Sequence, residues 1–119
     1  MNDQVEVMTD PIATPKKENK MIGSQKMIRS VNAGVFWGKV VSIDDTTVVL
    51  RKARRVWYWD GAATLSELAT LGTSKPQNCK FPARTKGEHI VLGVCEIIPM
   101  TEQALKSLNA VPAWTEHGK

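Results

Sequence analysis

Residues 34–52 read GVFWGKVVSIDDTTVVLRK, with two runs of β-branched and aromatic residues on either side of a short polar segment. Runs of this kind, bounded by turn residues, are typical of β-strands. The segment formed by Asp44, Asp45 and Thr46 suits a hairpin turn, because short aspartate side chains form hydrogen bonds with turn backbone. We therefore predict an antiparallel hairpin with strands over residues 34–43 and 47–52.

Further strands are predicted on both sides of this hairpin. Residues 27–31, 55–59 and 89–98 are rich in valine, isoleucine or aromatic side chains and are separated by turn residues. With the hairpin, they make five or six short strands joined by short connections, which is typical of an antiparallel sheet.

Two short helices complete the prediction. Within residues 60–72, leucines recur at helical spacing; either Asp60 or the Thr64 and Glu67 capping box starts this helix, and Gly72 ends it. A second helix is predicted over residues 102–109, with Thr101 capping its free amides. The expected fold class is α+β: an antiparallel sheet of five to six strands with two short helices packed on it.

One small domain accounts for most of the 119 residues. Residues 1–26 are polar and show no sustained periodicity, so we predict a flexible N-terminal arm followed by a single ligand-binding domain over residues 27–119. The net charge of +4 lies entirely in that domain, which has 12 basic and 8 acidic residues, whereas the arm carries four of each. A mild positive excess favours an anionic partner such as a nucleotide, or simply keeps a protein soluble.

Several classes of protein are disfavoured. No apolar run approaches the roughly 18 residues of a membrane span, and the acidic start is unlike a signal peptide, so a cytoplasmic location is expected. Cys79 and Cys95 are interpreted as free thiols, without metal-ligand spacing. The motifs of serine hydrolases, zinc proteases, P-loops and dinucleotide-binding folds are missing from the sequence. We therefore predict no catalytic residue, no metal and no cofactor.

The most unusual stretch is RKARRVWYWD at residues 51–60, where four cations run into three aromatic residues. In an extended chain Trp57 and Trp59 would share one face, with Tyr58 on the other. Arg54 and Arg55 could neutralise phosphate through their planar guanidinium groups, and the rings could stack on bases. The alternative is that the tryptophans lie in the core and the basic run is a solvated edge.

Residues 78–84, NCKFPAR, form a second candidate, with Phe81 in a proline-bounded loop near Lys80 and Arg84. An exposed Phe81 flanked by these cations could sandwich a purine. Phe81 could equally be a loop anchor buried in the core. The DGAA segment at 60–63 is a third candidate, either as backbone amides open to an anion or, more simply, as a capping segment.

The same residues belong to a longer string that resembles a known family. Residues 53–69 read ARRVWYWDGAATLSELA, followed by GTSKP at 72–76 and NCKF at 78–81. NAGVF at 32–36 and EIIPMTE at 96–102 extend the similarity over about residues 27–115. On these motifs the chain resembles the phage-encoded Thoeris anti-defence protein 1 family.

The resemblance implies a molecular sponge that is not an enzyme. Members of that family bind cyclic ADP-ribose-type signals made by bacterial TIR-domain proteins and hold them intact, so that the defence effector in the host cytoplasm stays inactive. The implied assembly is a homo-oligomer built from dimers, with the ligand pocket between protomers. Some members also bind cyclic oligonucleotides, such as cyclic trinucleotides, at a separate site.

The resemblance further implies roles for individual residues. Phe81 would stack on a base, and Arg54 or Arg55 would contact phosphate. A cation from the C-terminal part of the chain is also implied, and the second predicted helix offers Lys106. Together with the residues singled out above, the candidate ligand-binding residues are Phe81, Arg54, Arg55, Asn78, Lys80, Arg84, Trp57, Trp59 and Lys106.

Two other functions compete with the sponge. A small basic nucleic-acid-binding module would use the same cations and stacking rings. A nuclease or phosphodiesterase acting on the signal is disfavoured, because the sequence shows neither paired carboxylates nor a cluster of histidine and aspartate.

Overall fold

Five antiparallel strands form a single sheet in the computed structural model, which describes residues 21–116. The sheet order is β4-β3-β2-β1-β5, so the long strand β2 lies at the centre. This confirms the predicted α+β class with its antiparallel sheet. The strands are β1 (Gln25–Ser30), β2 (Gly34–Asp44), β3 (Thr47–Arg55), β4 (Glu88–Val91) and β5 (Val94–Pro99).

The predicted N-terminal arm overlaps the sheet at its end. Gln25 and Lys26 belong to β1, where they pair with Lys39 and Gly38 of β2. The folded part therefore begins at least two residues before the predicted boundary at residue 27. Residues 1–20 of the arm lie outside the described residues, as do residues 117–119.

The single strand predicted over residues 89–98 is two strands, β4 and β5, on opposite edges of the sheet. Only Leu92 and Gly93 separate them, so the sheet curls until its edges approach each other. Gly93 has φ 67°, a left-handed conformation that suits glycine and breaks the strand. Its carbonyl accepts a hydrogen bond from Val31 N at 2.9 Å, which ties the connection between β4 and β5 to the end of β1.

A bulge in β3 sets the direction of the residues that follow it. Trp37 pairs with Arg54 and Lys39 with Arg51, so two residues of β3 face the single Gly38. Lys52 has φ 55° at this point. A Cβ atom at Gly38 would lie only 3.1 Å from the Cα of Ala53, so the bulge needs glycine on the opposite strand.

β3 also ends differently from the prediction. It continues from the predicted end at Lys52 to Arg55, and no strand covers residues 56–59. In that segment Tyr58 forms an isolated antiparallel bridge with Lys80. The chain leaves the sheet here, because β4 and not this segment pairs with the outer edge of β3.

The two helices match the prediction. α1 (Leu65–Leu71) is capped by Thr64, whose Oγ1 accepts from Glu67 N at 3.1 Å, so the capping box and not Asp60 starts it. Gly72 ends α1 with φ 84°. α2 (Glu102–Asn109) is capped by Thr101, which accepts from Ala104 N at 3.0 Å. A short 3-10 helix, Pro76–Asn78, lies in the connection between α1 and β4.

Two apolar clusters lie on the two faces of the sheet, as the alternation of side chains along a strand requires. Met27 and Trp37 face the helices and pack with Leu68 of α1 and Leu108 of α2. Residues on the other face fill the inside of the curl: Ile28, Phe36, Val40, Val48, Leu50, Ala53, Val91 and Val94. Neighbouring side chains of one strand therefore enter different clusters.

Candidate ligand-binding site

Arg54 and Arg55 lie on opposite faces of the sheet. Arg54 pairs with Trp37 of β2 and Arg55 with Phe36, and these two rings belong to different apolar clusters. The guanidinium carbon of Arg54 is 5.6 Å from the Trp37 ring centroid, and that of Arg55 is 4.3 Å from the centroid of Phe36. The two arginines therefore cannot act together on one phosphate group.

Arg54 is buried, and its side chain binds the backbone. It is 5% exposed and donates to four carbonyl oxygens at 2.7 to 3.2 Å. Burial lowers the pKa of its guanidinium, and the nearby charge of Arg84 lowers it further. With its donors directed at backbone oxygens, Arg54 holds the fold together and is not free to bind phosphate. The acceptors are the carbonyls of Phe81, Pro82, Leu108 and Val111.

Phe81 is completely buried, at 0% exposure. Its ring meets the Trp37 ring edge to face, with centroids 5.3 Å apart and an interplanar angle of 77°. The structure thus corrects the exposed placement expected from the resemblance: no face of this ring is open to a base. Phe81 is the loop anchor in the core, which was the alternative interpretation.

Arg84 is half-buried near the same tryptophan. Its guanidinium carbon lies 5.4 Å from the Trp37 ring centroid, and burial lowers its pKa. Nη1 donates to the Lys52 carbonyl at 2.7 Å, and Nη2 donates to the side-chain oxygen of Asn109. Arg84 therefore fastens the end of α2 to the bulge in β3.

Three other predicted site residues make different contacts, although Trp59 packs against the apolar cluster that contains Trp37 and Phe81. Asn78 is exposed and donates to the Asp60 carboxylate at 2.9 Å. Trp59 is half-buried and donates its indole N–H to the Ala62 carbonyl at 3.1 Å. Lys106 is exposed on α2. The structure does not bring these three together as one ligand pocket within a single chain.

The rings of Tyr58 and Trp114 contact a lysine, and the exposed Trp57 is the chain neighbour of Tyr58; we call Trp57, Tyr58, Lys80 and Trp114 the aromatic–lysine platform. Trp57 is 63% and Tyr58 51% exposed, so Trp57 does not lie in the core, which was the alternative interpretation. The Lys80 ammonium lies 5.9 Å from the Tyr58 ring centroid and 5.5 Å from that of Trp114. These distances are typical of cation–π contacts.

Backbone hydrogen bonds hold the platform in place. Trp57 N donates to the Lys80 carbonyl at 3.0 Å, and Lys80 N donates to the Tyr58 carbonyl at 2.8 Å. Trp114 N donates to the Phe81 carbonyl at 2.9 Å. The rings therefore belong to hydrogen-bonded segments next to Phe81, which is fixed in the core. Because these segments are already ordered, less conformational entropy is lost when a ligand binds.

The charge of this platform has no acidic partner among the described residues. Ion pairs within residues 21–116 join Arg29 to Glu96 at 3.0 Å and Arg51 to Glu88 at 3.1 Å, and neither includes Lys80. A cation that faces aromatic rings without a carboxylate is suited to an anionic ligand that also carries a ring.

Tyr58 and Trp114 were not among the predicted site residues. Tyr58 is the middle ring of the WYW triplet, which strand alternation would place on a different face from its neighbours. Trp114 is half-buried. The features that bring them to Lys80 are the bridge of Tyr58 to Lys80 and the bridge of Phe81 to Ala113, which no spacing in the sequence reveals.

The DGAA segment serves the fold of its own loop. Asp60 accepts from Asn78 Nδ2 at 2.9 Å and from Gly61 N at 2.8 Å. Gly61 has φ 87°, and a Cβ atom there would lie 2.5 Å from Thr73 Oγ1, so only glycine fits. The pKa of Asp60 is lowered, chiefly by the hydrogen bond from Asn78, with smaller contributions from the Gly61 N–H and the Lys75 charge.

Asn78→Ala is expected to raise the pKa of Asp60 toward its ordinary value of about 3.9, because the variant removes the main hydrogen bond to the ionised form. Since the folded-state pKa is depressed, the stabilisation is present at neutral pH and is lost as the pH falls below about 4. Carbon-13 NMR titration of the Asp60 carboxyl measures this directly. An unchanged midpoint in the variant would show that Asn78 does not stabilise the carboxylate.

Among residues 21–116, no three His, Cys, Asp or Glu side chains lie close enough together to hold a metal ion. Cys79 is a buried free thiol and Cys95 an exposed one. No helix in the described range is both long and apolar enough to cross a membrane.

The fold and this surface define a small α+β domain with an exposed aromatic–lysine platform and no metal cluster within the described residues. A family model described as "Domain of unknown function (DUF6948)" matches residues 23–108. The chain therefore belongs to the DUF6948 family. The match begins two residues before β1 and ends within α2, so it spans the sheet and both helices. No curated protein matches the chain.

Proposed function

We propose that this protein binds a cyclic ADP-ribose-type nucleotide signal and sequesters it without cleaving it, which keeps a bacterial defence effector inactive in the cytoplasm of an infected cell. The ligand class follows from the family resemblance carried by residues 27–115. The structural observation that supports it is the exposed Tyr58 ring beside a lysine without an acidic partner, with the exposed Trp57 next to it in the chain.

The chemistry of the platform suits a ligand of this class. A purine can stack on an exposed indole or phenol ring, and each stacked base contributes about 1–3 kcal/mol. Lys80 can attract the phosphates as a compact point charge. The resemblance placed Arg54 and Phe81 at the ligand, but in this proposal they support the platform from the core. Arg54 binds the carbonyls of Phe81 and Pro82 and so fixes the segment that presents Lys80.

Sequestration needs no catalytic group. A sponge acts by mass action, so it must bind the signal more tightly than the effector does, and each factor of ten requires about 1.4 kcal/mol. The platform is open to solvent on one side in a single chain, and a second copy laid over it would enclose the ligand. A homo-oligomer with the ligand between protomers is therefore part of the proposal, as is a separate site for cyclic trinucleotides in that assembly.

A nucleic-acid-binding module is the second candidate, because the same rings and lysine could stack on single-stranded bases. The two functions differ in salt dependence. Binding across many phosphates weakens steeply as salt increases, whereas a ligand with two phosphates gives a shallow slope.

Trp57→Ala is expected to weaken capture of the nucleotide about tenfold or more, since one stacked base contributes about 1–3 kcal/mol. The protein is incubated with a mixture of cyclic ADP-ribose isomers and cyclic trinucleotides, and filtered. Bound compounds are then released by heat and identified by mass spectrometry. We expect an intact cyclic ADP-ribose isomer from the wild-type protein.

Leu71→Ala is the matched control, because Leu71 is 52% exposed on α1 and outside the platform. This variant should capture as much ligand as the wild-type protein. Recovery of a cleaved product would contradict the proposal, as would equal capture by Trp57→Ala. Capture of single-stranded oligonucleotides with a steep salt slope, and of no cyclic nucleotide, would favour the second candidate.

A further inference from the structure

A cleft of about 400 Å³ lies where the two edges of the curled sheet approach each other. It shares no lining residue with the aromatic–lysine platform. One wall is formed by Arg55 and Phe36 from the inner face of the sheet, and the other by the end of β4 with Leu92 and Gly93. We call it the Arg55 cleft.

Arg55 is held in a fixed position in this cleft. Its guanidinium carbon lies 4.3 Å from the Phe36 ring centroid, and Nη1 donates to the Ala33 carbonyl at 2.7 Å. No other hydrogen bond and no ion pair joins its side chain to the described residues. The remaining N–H donors of this cation are therefore available to a ligand, in an orientation set before binding.

The backbone segments around Arg55 are joined by hydrogen bonds of the buried Ser30. Its hydroxyl donates to the Leu92 carbonyl at 2.6 Å and accepts from Ala33 N at 3.1 Å. Val31 N adds a bond to the Gly93 carbonyl at 2.9 Å. The turn that carries the Ala33 carbonyl is thus tied directly to the opposite wall, so the width of the cleft is defined by the backbone.

The other lining groups are mostly apolar. Phe36 and Val91 are buried, whereas Ile90 and Leu92 expose 63% and 64% of their surface at the rim. The His89 ring lies 5.0 Å from that of Phe36. Among residues 21–116, no aspartate or glutamate lines the cleft. The cleft therefore combines one uncompensated guanidinium with an apolar wall.

We propose that the Arg55 cleft binds a small organic carboxylate whose body is a single aromatic or branched apolar group. A guanidinium fork matches one carboxylate through two parallel hydrogen bonds. The apolar body would cover Ile90 and Leu92, which are otherwise exposed to water. A doubly charged phosphate monoester fits less well, because Arg55 is the one arginine or lysine of the described residues that lines the cleft.

NMR titration of the full-length protein labelled with nitrogen-15 tests this, with phenylacetate as the probe. We expect amide shifts at the cleft, centred on residues 32–36 and 89–93. Phenylacetamide lacks the charge, and acetate lacks the apolar body. The affinity of each should be lower than that of phenylacetate by about tenfold or more. Phenyl phosphate should bind no more tightly than phenylacetate.

Two variants separate the role of Arg55 from general effects. Arg55→Gln should weaken phenylacetate about tenfold or more. The matched control, Arg29→Gln, removes an arginine in an exposed ion pair and should leave the affinity unchanged. Ile90→Glu changes an exposed rim residue, so it tests the site even if Arg55→Gln does not fold. It should weaken phenylacetate more than phenylacetamide, because both lose the apolar contact with Ile90 but only the carboxylate is repelled by the new charge.

The proposal is overturned if acetate binds as well as phenylacetate, if phenyl phosphate binds more tightly, or if Arg55→Gln folds and retains full affinity. Shifts confined to the aromatic–lysine platform would also overturn it. Because the cleft and the platform share no residue, these outcomes leave the proposed nucleotide site untouched.

Discussion

Replacing Phe81 with alanine is expected to lower the free energy of unfolding by about 3–5 kcal/mol, the usual cost of truncating a fully buried phenylalanine. The ring is 0% exposed and packs edge to face on Trp37. Its removal leaves a cavity in the cluster that joins the sheet to α1 and α2. Urea denaturation followed by circular dichroism measures the loss.

Trp57→Ala is the matched control for this prediction. It also removes a large aromatic side chain, but one that is 63% exposed, so the expected change in the free energy of unfolding is about 0.5 kcal/mol. The two variants should thus separate stability from capture: Phe81→Ala loses stability, and Trp57→Ala loses ligand. A stable Phe81→Ala protein that fails to capture nucleotide would instead restore the stacking role implied by the resemblance.

Replacing Arg54 with methionine is expected to lower the free energy of unfolding by about 3 kcal/mol, because it removes charge-assisted hydrogen bonds to buried backbone carbonyls. The opposing effect is that the variant no longer buries a charge. When both members of a buried charged pair are replaced by hydrophobic residues, this gain can leave the stability unchanged. Here the partners are backbone oxygens that no substitution removes. The carbonyls of Pro82 and Val111 lose the donor that Arg54 provides, so the loss outweighs the gain.

Arg51→Met is the control, since Arg51 lies on the same strand with 51% of its side chain exposed, in an ion pair with Glu88. An exposed pair of this kind contributes about 0–1 kcal/mol, so this variant should be almost as stable as the wild-type protein. Chemical denaturation of both variants gives the comparison. If Arg54→Met proved as stable as Arg51→Met, the carbonyl contacts would not be what holds the C-terminal segment to the sheet.

Local patterns in the sequence were sufficient for much of the fold. The hairpin of β2 and β3 follows from runs of β-branched residues around a polar turn, and both helices begin at the predicted threonine caps. These features depend on residues within a few positions of each other, so their physical causes are visible in the chain itself. The strand predicted over residues 89–98 was wrong because continuous apolar character does not show where a chain crosses between sheet edges.

The candidate sites depended on tertiary structure. Arg54 and Arg55 are adjacent and chemically identical, yet one is a buried clamp for carbonyls and the other lines a cleft, because strand alternation sends them to opposite faces after the bulge at Lys52. Phe81 and Trp57 were both candidates for stacking on a base, yet Phe81 is buried and Trp57 is exposed.

By itself, then, the sequence determined the fold class and the residues that could cap the helices, since these follow from preferences of neighbouring residues. It also located the net positive charge, which is a count over the chain. Only the tertiary structure decided which cations and rings face solvent. That choice is made by long-range contacts, such as the bridge of Tyr58 to Lys80 and the bonds from Arg54 to residues 27 to 57 positions away. Contacts over such separations leave no periodic trace in the sequence, because they arise from how the curled sheet and the two helices pack together.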